Sequence, residues 1–403
     1  MRVTTANQFN LTVASLQKRQ QELQSTQIQL TTGKKVARAS DDPAGAARIE
    51  RALAAIGKVE ANERALAASR NSMNLAESAI GDASEILQQV RETLVAAGNA
   101  SYTDAERRGL ADKISGLRAQ LLSIANRPDG SGGYVFSGQG SSQPPFLDEA
   151  SGVRFNGVPG SQFTGTLEDF ALTVDGRLTW EQARSGNGFF VTGALDNSIT
   201  GLPNTKNWID SGRVTDPALL TGHQYQIEVV GTAGIAEAVV TDLDTGIVQN
   251  IPFEAGRTIV FDGLAVNING PLTEGERFSI QPASNDLNVF KVLEDAAANL
   301  RAPNRTGAQV QQANVEALRD LDASFGNLQN VRSLVGERLN QLDGSETRLA
   351  GLKLYNQTER SAAEDLDMTE AISRSEIQQT SYEAALRSYA AVQRLNLFEY
   401  MNF

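Results

Sequence analysis

Few side chains in this chain can do chemistry. There is no cysteine and a single histidine, His223, which closes off thiolate zinc sites, a cysteine nucleophile, disulfides and multi-histidine metal clusters. His223 could act as the base of a triad, but it stands in GHQYQIEVV, where alternating residues predict a strand just after a turn; a surface or packing role is expected and no function is assigned to it. Asp242, Asp244 and Gly246 in TDLDTG have a faint calcium-loop look. An EF-hand would need further ligands, a later glutamate and flanking helices, so a hairpin turn is the better expectation. NRPDGSGGYVFSG is glycine-rich but lacks the GK[ST] ending of a phosphate loop and the strand-to-helix setting of a dinucleotide site, and on spacing it reads as a flexible exit from a helix. Nothing marks any two carboxylates as a glycosidase-like pair. The expectation is a protein that is not an enzyme and holds no cofactor and no metal.

The elements that would position any function must then be read from composition and pattern. A chain of 403 residues is too long for one compact core and leaves room for two or three domains. Its net charge of -12 argues against binding phosphate backbones or anionic membrane faces, so nucleic acid is excluded as a partner. No apolar run approaches the roughly 20 residues that span a bilayer, which excludes membrane insertion. The opening MRVTTANQFN lacks the apolar stretch of a secretory signal, so export, if it occurs, uses another route.

The two ends are the most informative segments. Phe9, Leu16, Leu23 and Leu30 recur every seven residues and form one narrow seam on a helix, suited to a partner helix. Between Gln20 and Gly33 the only charge is Glu22, while Gln20, Gln21, Gln24, Gln27 and Gln29 can hydrogen-bond without the cost of desolvating an ion. At the far end Tyr382, Leu386 and Tyr389 follow helical spacing, and Phe398, Tyr400, Met401 and Phe403 are hard for a monomer to hide. Phe9, Leu16, Leu23, Leu30, Tyr382, Leu386, Tyr389 and Phe398 are the expected assembly interface. The plainer alternative is an ordinary bundle whose first and last helices pack on its own core.

Between the ends the order is helical, β, helical. Gly33 suits the left-handed position past the first helix, and in ASDDPAG Asp42 caps the next helix with Pro43 at its first position. From Leu66 the positions Met73, Ala76, Ile80, Ala83, Leu87, Val90, Leu94 and Ala97 keep three- and four-residue steps, with Ser69 the polar exception, along about 48 Å of helix. Thr103 and Glu106 stand at capping-box spacing ahead of a third helix through Leu110, Ile114, Leu117, Leu121 and Ile124. From about Ser131, glycine, threonine and proline become dense, and FALTV, GFFVTG, YQIEVV, AEAVVTD, RTIVFDG and RFSIQP predict one or two small sandwiches or barrels. Residues 193–215 carry no recognisable motif. Helical periodicity returns through Leu287, Phe290 and Leu293 and then from Leu318 to Leu342, with Gly344 marking a break and a last helix from about Met368. The expected fold is an antiparallel helical bundle or coiled coil, formed by the N- and C-terminal regions, with an inserted β-rich domain. Its expected parts are assembly helices at 1–42 and 365–403, a helical rod at 43–130 and 285–364, and the β insert at 131–284.

The run TTGKKVARASDDPAGAARI, from Thr31 to Ile49, resembles the N-terminal signature of the family of bacterial flagellins and flagellar hook-associated proteins. The opening MRVTT, the form TGKKV and the later GYVFSGQGSSQPPF are more similar to the members that join hook to filament than to filament flagellin. The C-terminal DLDMTEAISRSEIQQTSYEAALRSYAAVQRLNLFEY resembles the family's closing helix, and GRTIVFDGLAVNINGPLTEGERFSIQP its β region. What this resemblance implies is a structural protein outside the cell, at the hook-filament junction of the bacterial flagellum. It implies export through the flagellar type III pathway without a cleaved signal peptide. The implied partners are further copies of itself in a ring-like homo-oligomer, the first hook-associated protein, flagellin, and an export chaperone on the C-terminal helical region. The Thr31 to Ile49 loop would be a second contact surface. Rival readings are a filament flagellin, a cytoplasmic signalling coiled coil, and an extracellular glycan-binding or hydrolytic module carried on a coiled coil.

Overall fold

The computed structural model describes residues 5–99, 101–232, 235–271 and 273–401. In chain order these residues form α1 (Thr5–Thr32), α2 (Pro43–Ala97), α3 (Asp104–Ala125), the hairpins β1 (Phe146–Glu149) with β2 (Gly152–Phe155) and β3 (Phe163–Thr164) with β4 (Phe170–Ala171), and the short α4 (Gly176–Trp180). Then come β5 (Phe190–Leu195), β6 (Trp208–Ile209), β7 (Arg213–Val214), β8 (Tyr225–Thr232), β9 (Ile235–Asp242), β10 (Val248–Pro252), β11 (Thr258–Phe261), β12 (Leu264–Asn269) and β13 (Arg277–Pro282). The helices α5 (Val289–Arg301), α6 (Gly307–Glu364) and α7 (Met368–Met401) complete the chain. They divide into two compact units, Met1–Arg64 with Ser345–Phe403, and Ala65–Gly344.

In the second unit the helical stripe is the core. Leu66, Met73, Ala76, Ile80, Ala83, Leu87, Val90, Leu94 and Ala97 are all buried, as the spacing requires. Ser69, the polar exception, is buried too and donates to the Ala171 carbonyl of β4 at 2.6 Å, a contact no local pattern reveals. Ser69→Ala strands that carbonyl and is expected to cost about 1–2 kcal/mol, read as a lower denaturation midpoint with an unchanged slope. The Thr103 and Glu106 capping box forms as expected. Between α2 and α6 the ion pairs Arg70–Asp343, Glu77–Arg332 and Arg91–Asp322 run in opposite chain directions and so mark an antiparallel register. Exposed pairs of this kind contribute little stability, and their value is alignment. Gly344 does not break the helix: α6 runs through it to Glu364, because one glycine costs only about 1 kcal/mol against many turns of continuous hydrogen bonding.

The strands build two sheets around one core. One has the order β10-β9-β8-β13-β5, the other β11-β12-β6 with β7 beside β12. Tyr225, Ile227 and Val229 of β8, Ala238 and Val240 of β9, and Phe278 and Ile280 of β13 alternate inward against Ile259, Phe261, Leu264, Val266 and Ile268 of the second sheet. This is a small sandwich. The motif-poor stretch 193–215 supplies β6 and β7, with the Ile209 amide donating to Gln312 Oε1 of α6 at 2.8 Å. Arg319 of α6 donates to the Thr192 carbonyl of β5 at 2.6 Å.

NRPDGSGGYVFSG is not the loose exit that its glycines suggest. Asp129 accepts from the amides of Ser131 and Gly133, Pro128 pairs with Tyr134, and Val135 and Phe136 are fully buried. Phe136, Phe146, Phe155, Trp180 and Phe290 form a continuous aromatic cluster. Asn126, at the end of α3, accepts from the Phe146 amide and donates to its carbonyl, which ties β1 to the helices. No helix among the described residues is long and apolar enough to cross a membrane.

Candidate assembly surface

The unit made by the two chain ends has little interior of its own. Among the described side chains of α1, no apolar residue is buried; Thr26 alone is, and its hydroxyl bonds back to the Glu22 carbonyl at 3.1 Å. In α7 only Ala371 is a buried apolar side chain among those described. The two helices nonetheless pack on each other. A bridge between Lys34 and Asp365 fixes their relation: the Lys35 amide donates to the Glu364 carbonyl at 2.7 Å and the Leu366 amide to the Gly33 carbonyl at 3.0 Å. The Lys34 ammonium pairs with the Glu364 carboxylate, which Arg360 also meets at 3.4 Å. Thus the C-terminal end of α1 meets the N-terminal end of α7, and the pair is antiparallel.

The local causes of this junction lie in the loop from Gly33 to Asp42. Gly33 takes φ of 68°, the left-handed conformation that ends α1, and Gln29 reaches over to the Lys35 carbonyl at 2.8 Å. Asp42 accepts from the Ala44 and Gly45 amides at 3.1 and 2.9 Å and starts α2 with Pro43 at its first position. Gly45 is needed there, since a Cβ would stand 2.5 Å from Asp42 Oδ2 and 3.2 Å from the buried Val36 side chain. Gly45→Ala is expected to push the carboxylate off the two amides at a cost of about 1 kcal/mol, seen as faster hydrogen exchange at Ala44 to Ala46 while α3 is unaffected.

Leu16, Leu23 and Leu30 are half-buried along α1, with Thr26 between the last two at the complementary heptad step. Tyr382 and Tyr389 are half-buried along α7, whereas Leu386 is 41% exposed. At 1.5 Å per residue from the Lys34–Asp365 bridge, Leu16 lies level with about Tyr382. The side chains of Phe9 and Phe398 lie outside the described residues.

Sequence spacing missed a second set. Leu11, Ile28, Leu354, Tyr355, Ile372 and Ile377 are exposed, Leu11, Leu354 and Ile377 by nearly two thirds of their surface. Their signal was surplus: a helix that meets one neighbour needs one stripe, and α1, α7 and the C-terminal part of α6 carry apolar residues off it. So much exposed apolar surface in the unit of the chain ends is the pattern of an unfinished interface.

The β sandwich holds the one grouping with metal-ligand types among the described residues. Ligand atoms of His223, Asp242 and Asp244 lie within 4.8 Å of one another. Their lone pairs are largely committed: Asp242 accepts from His223 and from the Asp244 and Thr245 amides, and Asp244 accepts from the Gln224 amide. The TDLDTG segment is the turn joining β9 to β10, as its spacing suggests, and His223 braces it.

Known proteins share this architecture. Residues 3–141 match the bacterial flagellin N-terminal helical region. Flagellar hook-associated protein 3 of Escherichia coli strain K12 is 24% identical over 99% of both chains. The crystal structure of hook-associated protein 3 from Legionella pneumophila, 26% identical, superposes with a TM-score of 0.70 over 77% of this chain and 97% of its own. Likeness to a flagellin of Bacillus subtilis, at 32% identity, covers only 28% of this chain. With a match to the flagellin N-terminal helical region at its start and likeness to hook-associated protein 3 along its length, the chain is similar to the flagellar hook-associated proteins.

Proposed function

We propose that this chain is a structural subunit of the hook-filament junction of the bacterial flagellum, and that α1 and α7 complete their packing only against neighbouring subunits. The observation that carries this reading is the missing core: α1 has no buried apolar side chain among those described, although its leucines are spaced for one. Isolated helices with a thin seam are marginal in water, and lateral packing would supply what they lack. Further copies of the chain in a ring, the first hook-associated protein on one side and flagellin on the other are the partners this assigns. Leu16, Leu23, Leu30, Tyr382, Leu386 and Tyr389 line the subunit contacts, together with Phe9, one heptad before Leu16, and Phe398. Before assembly the aromatic-rich C-terminal helix is covered by an export chaperone, which prevents premature association.

The relatives matched over full length are hook-associated proteins, whereas the flagellin likeness covers only part of the chain, so placement at the junction is favoured over the filament. A strain lacking the chain decides between them. Intact hooks with unpolymerised flagellin shed into the medium support the junction; normal filaments refute it, and loss of flagellin itself points to the filament.

A further inference from the structure

The one histidine in the chain sits where three acids converge. His223 Nδ1 lies 2.8 Å from Asp242 Oδ2, joining a residue two positions before β8 to the last residue of β9. Asp244, in the β9–β10 turn, and Asp262, in the β11–β12 turn, are the other charged groups acting on the ring. Tyr225, the first residue of β8, donates its hydroxyl to Asp262 at 2.9 Å. The same corner is stitched by backbone bonds: the Leu243 amide donates to the Gln224 carbonyl and the Gln224 amide to Asp244 Oδ2, both at 2.8 Å. Beyond the brace, the hairpin presents Leu243, Ile247 and Val248, all more than half exposed, at the outer edge of the five-stranded sheet.

We propose that His223 is a proton-operated latch that clamps the β9–β10 hairpin to the start of β8 when charged and loosens it when neutral. A charged imidazole bonded to a carboxylate is stronger than a neutral one, and here the proton also offsets crowding among Asp242, Asp244 and Asp262. The hydrogen bond to Asp242 raises the affinity of the ring for its proton; burial opposes this, and the three carboxylates add to it. For Asp242, burial pushes its pKa up, but hydrogen bonds from Thr245, His223 and the Asp244 amide outweigh it and hold the carboxyl below its ordinary range. Because the folded pKa of His223 is raised, the clamp is fully present below the unfolded value of about 6.5 and is lost as pH rises through the higher folded value.

With no second histidine, the imidazole resonance of the full-length chain is unambiguous in an NMR titration. The expected result is a midpoint above that of a free histidine, which falls toward it in Asp242→Asn, where an oxygen remains for the turn amides. Protection of the Leu243 and Gln224 amides, corrected for intrinsic exchange, is expected to drop several-fold across that midpoint and to be flat with pH in His223→Gln. A midpoint at or below the free value, or protection equal on both sides of it, overturns the latch.

Discussion

Leu23→Asp is expected to yield a chain that is exported in normal amount and whose Ala65–Gly344 unit melts at the parental temperature, yet whose cells shed flagellin monomers and carry bare hooks. The residue belongs to the unit of the chain ends and is only half-buried there, so the free subunit loses little. In the assembled state the same position would place a carboxylate in an apolar seam. That costs several kcal/mol per subunit, and about 4 kcal/mol alone is roughly a thousandfold in an association constant. Repetition around a ring compounds the defect. Gln17→Asp, on an exposed position of α1, is the matched control and is expected to leave filaments intact. Filament growth from Leu23→Asp cells that matches the parent, by electron microscopy of sheared appendages, removes Leu23 from the interface.

Why the seam was legible in the sequence while the exposed set was not follows from what each pattern encodes. Repeats such as Leu16, Leu23 and Leu30 record one neighbour, and the stripe from Leu66 to Ala97 was readable for the same reason, since local spacing alone decides which side of a helix turns inward. Capping at Thr103 and at Asp42 was equally local. What spacing could not carry were links across the chain. Ser69 meets Ala171 and His223 meets Asp242 only because strands fold back, and β6 and β7, two residues each, are too short to show any period. Glycine was misread in both directions: Gly344 sits inside α6, and the glycines after Asp129 belong to a tight loop whose amides that carboxylate gathers. A glycine reports freedom, and the surroundings decide whether it is used.

The second large effect is expected in the aromatic cluster that joins the start of α5 to the first hairpin. Phe290 is fully buried, with its ring centroid 5.8 Å from Phe146 and 6.0 Å from Trp180. Asn288 caps α5 by accepting from the Phe290 and Lys291 amides and also donates to the Val153 carbonyl of β2, so the ring, the cap and the hairpin stand on one another. Phe290→Ala removes a large side chain from a site held rigid on several sides, where collapse is hindered, and is expected to cost about 3–5 kcal/mol. For a unit of this size that corresponds to a fall of roughly 10 °C in Tm. Trp180→Phe provides the contrast. Its indole Nε1 is buried and finds no acceptor among the described residues, so the change removes an uncompensated donor along with some volume and is expected to cost about 1 kcal/mol or less. Calorimetry on the two variants separates packing from polarity: equal losses would mean that the cluster yields to any change of shape, whereas a steep loss for Phe290→Ala with a mild one for Trp180→Phe identifies the Phe290 ring as the piece that holds the β hairpin to the helices.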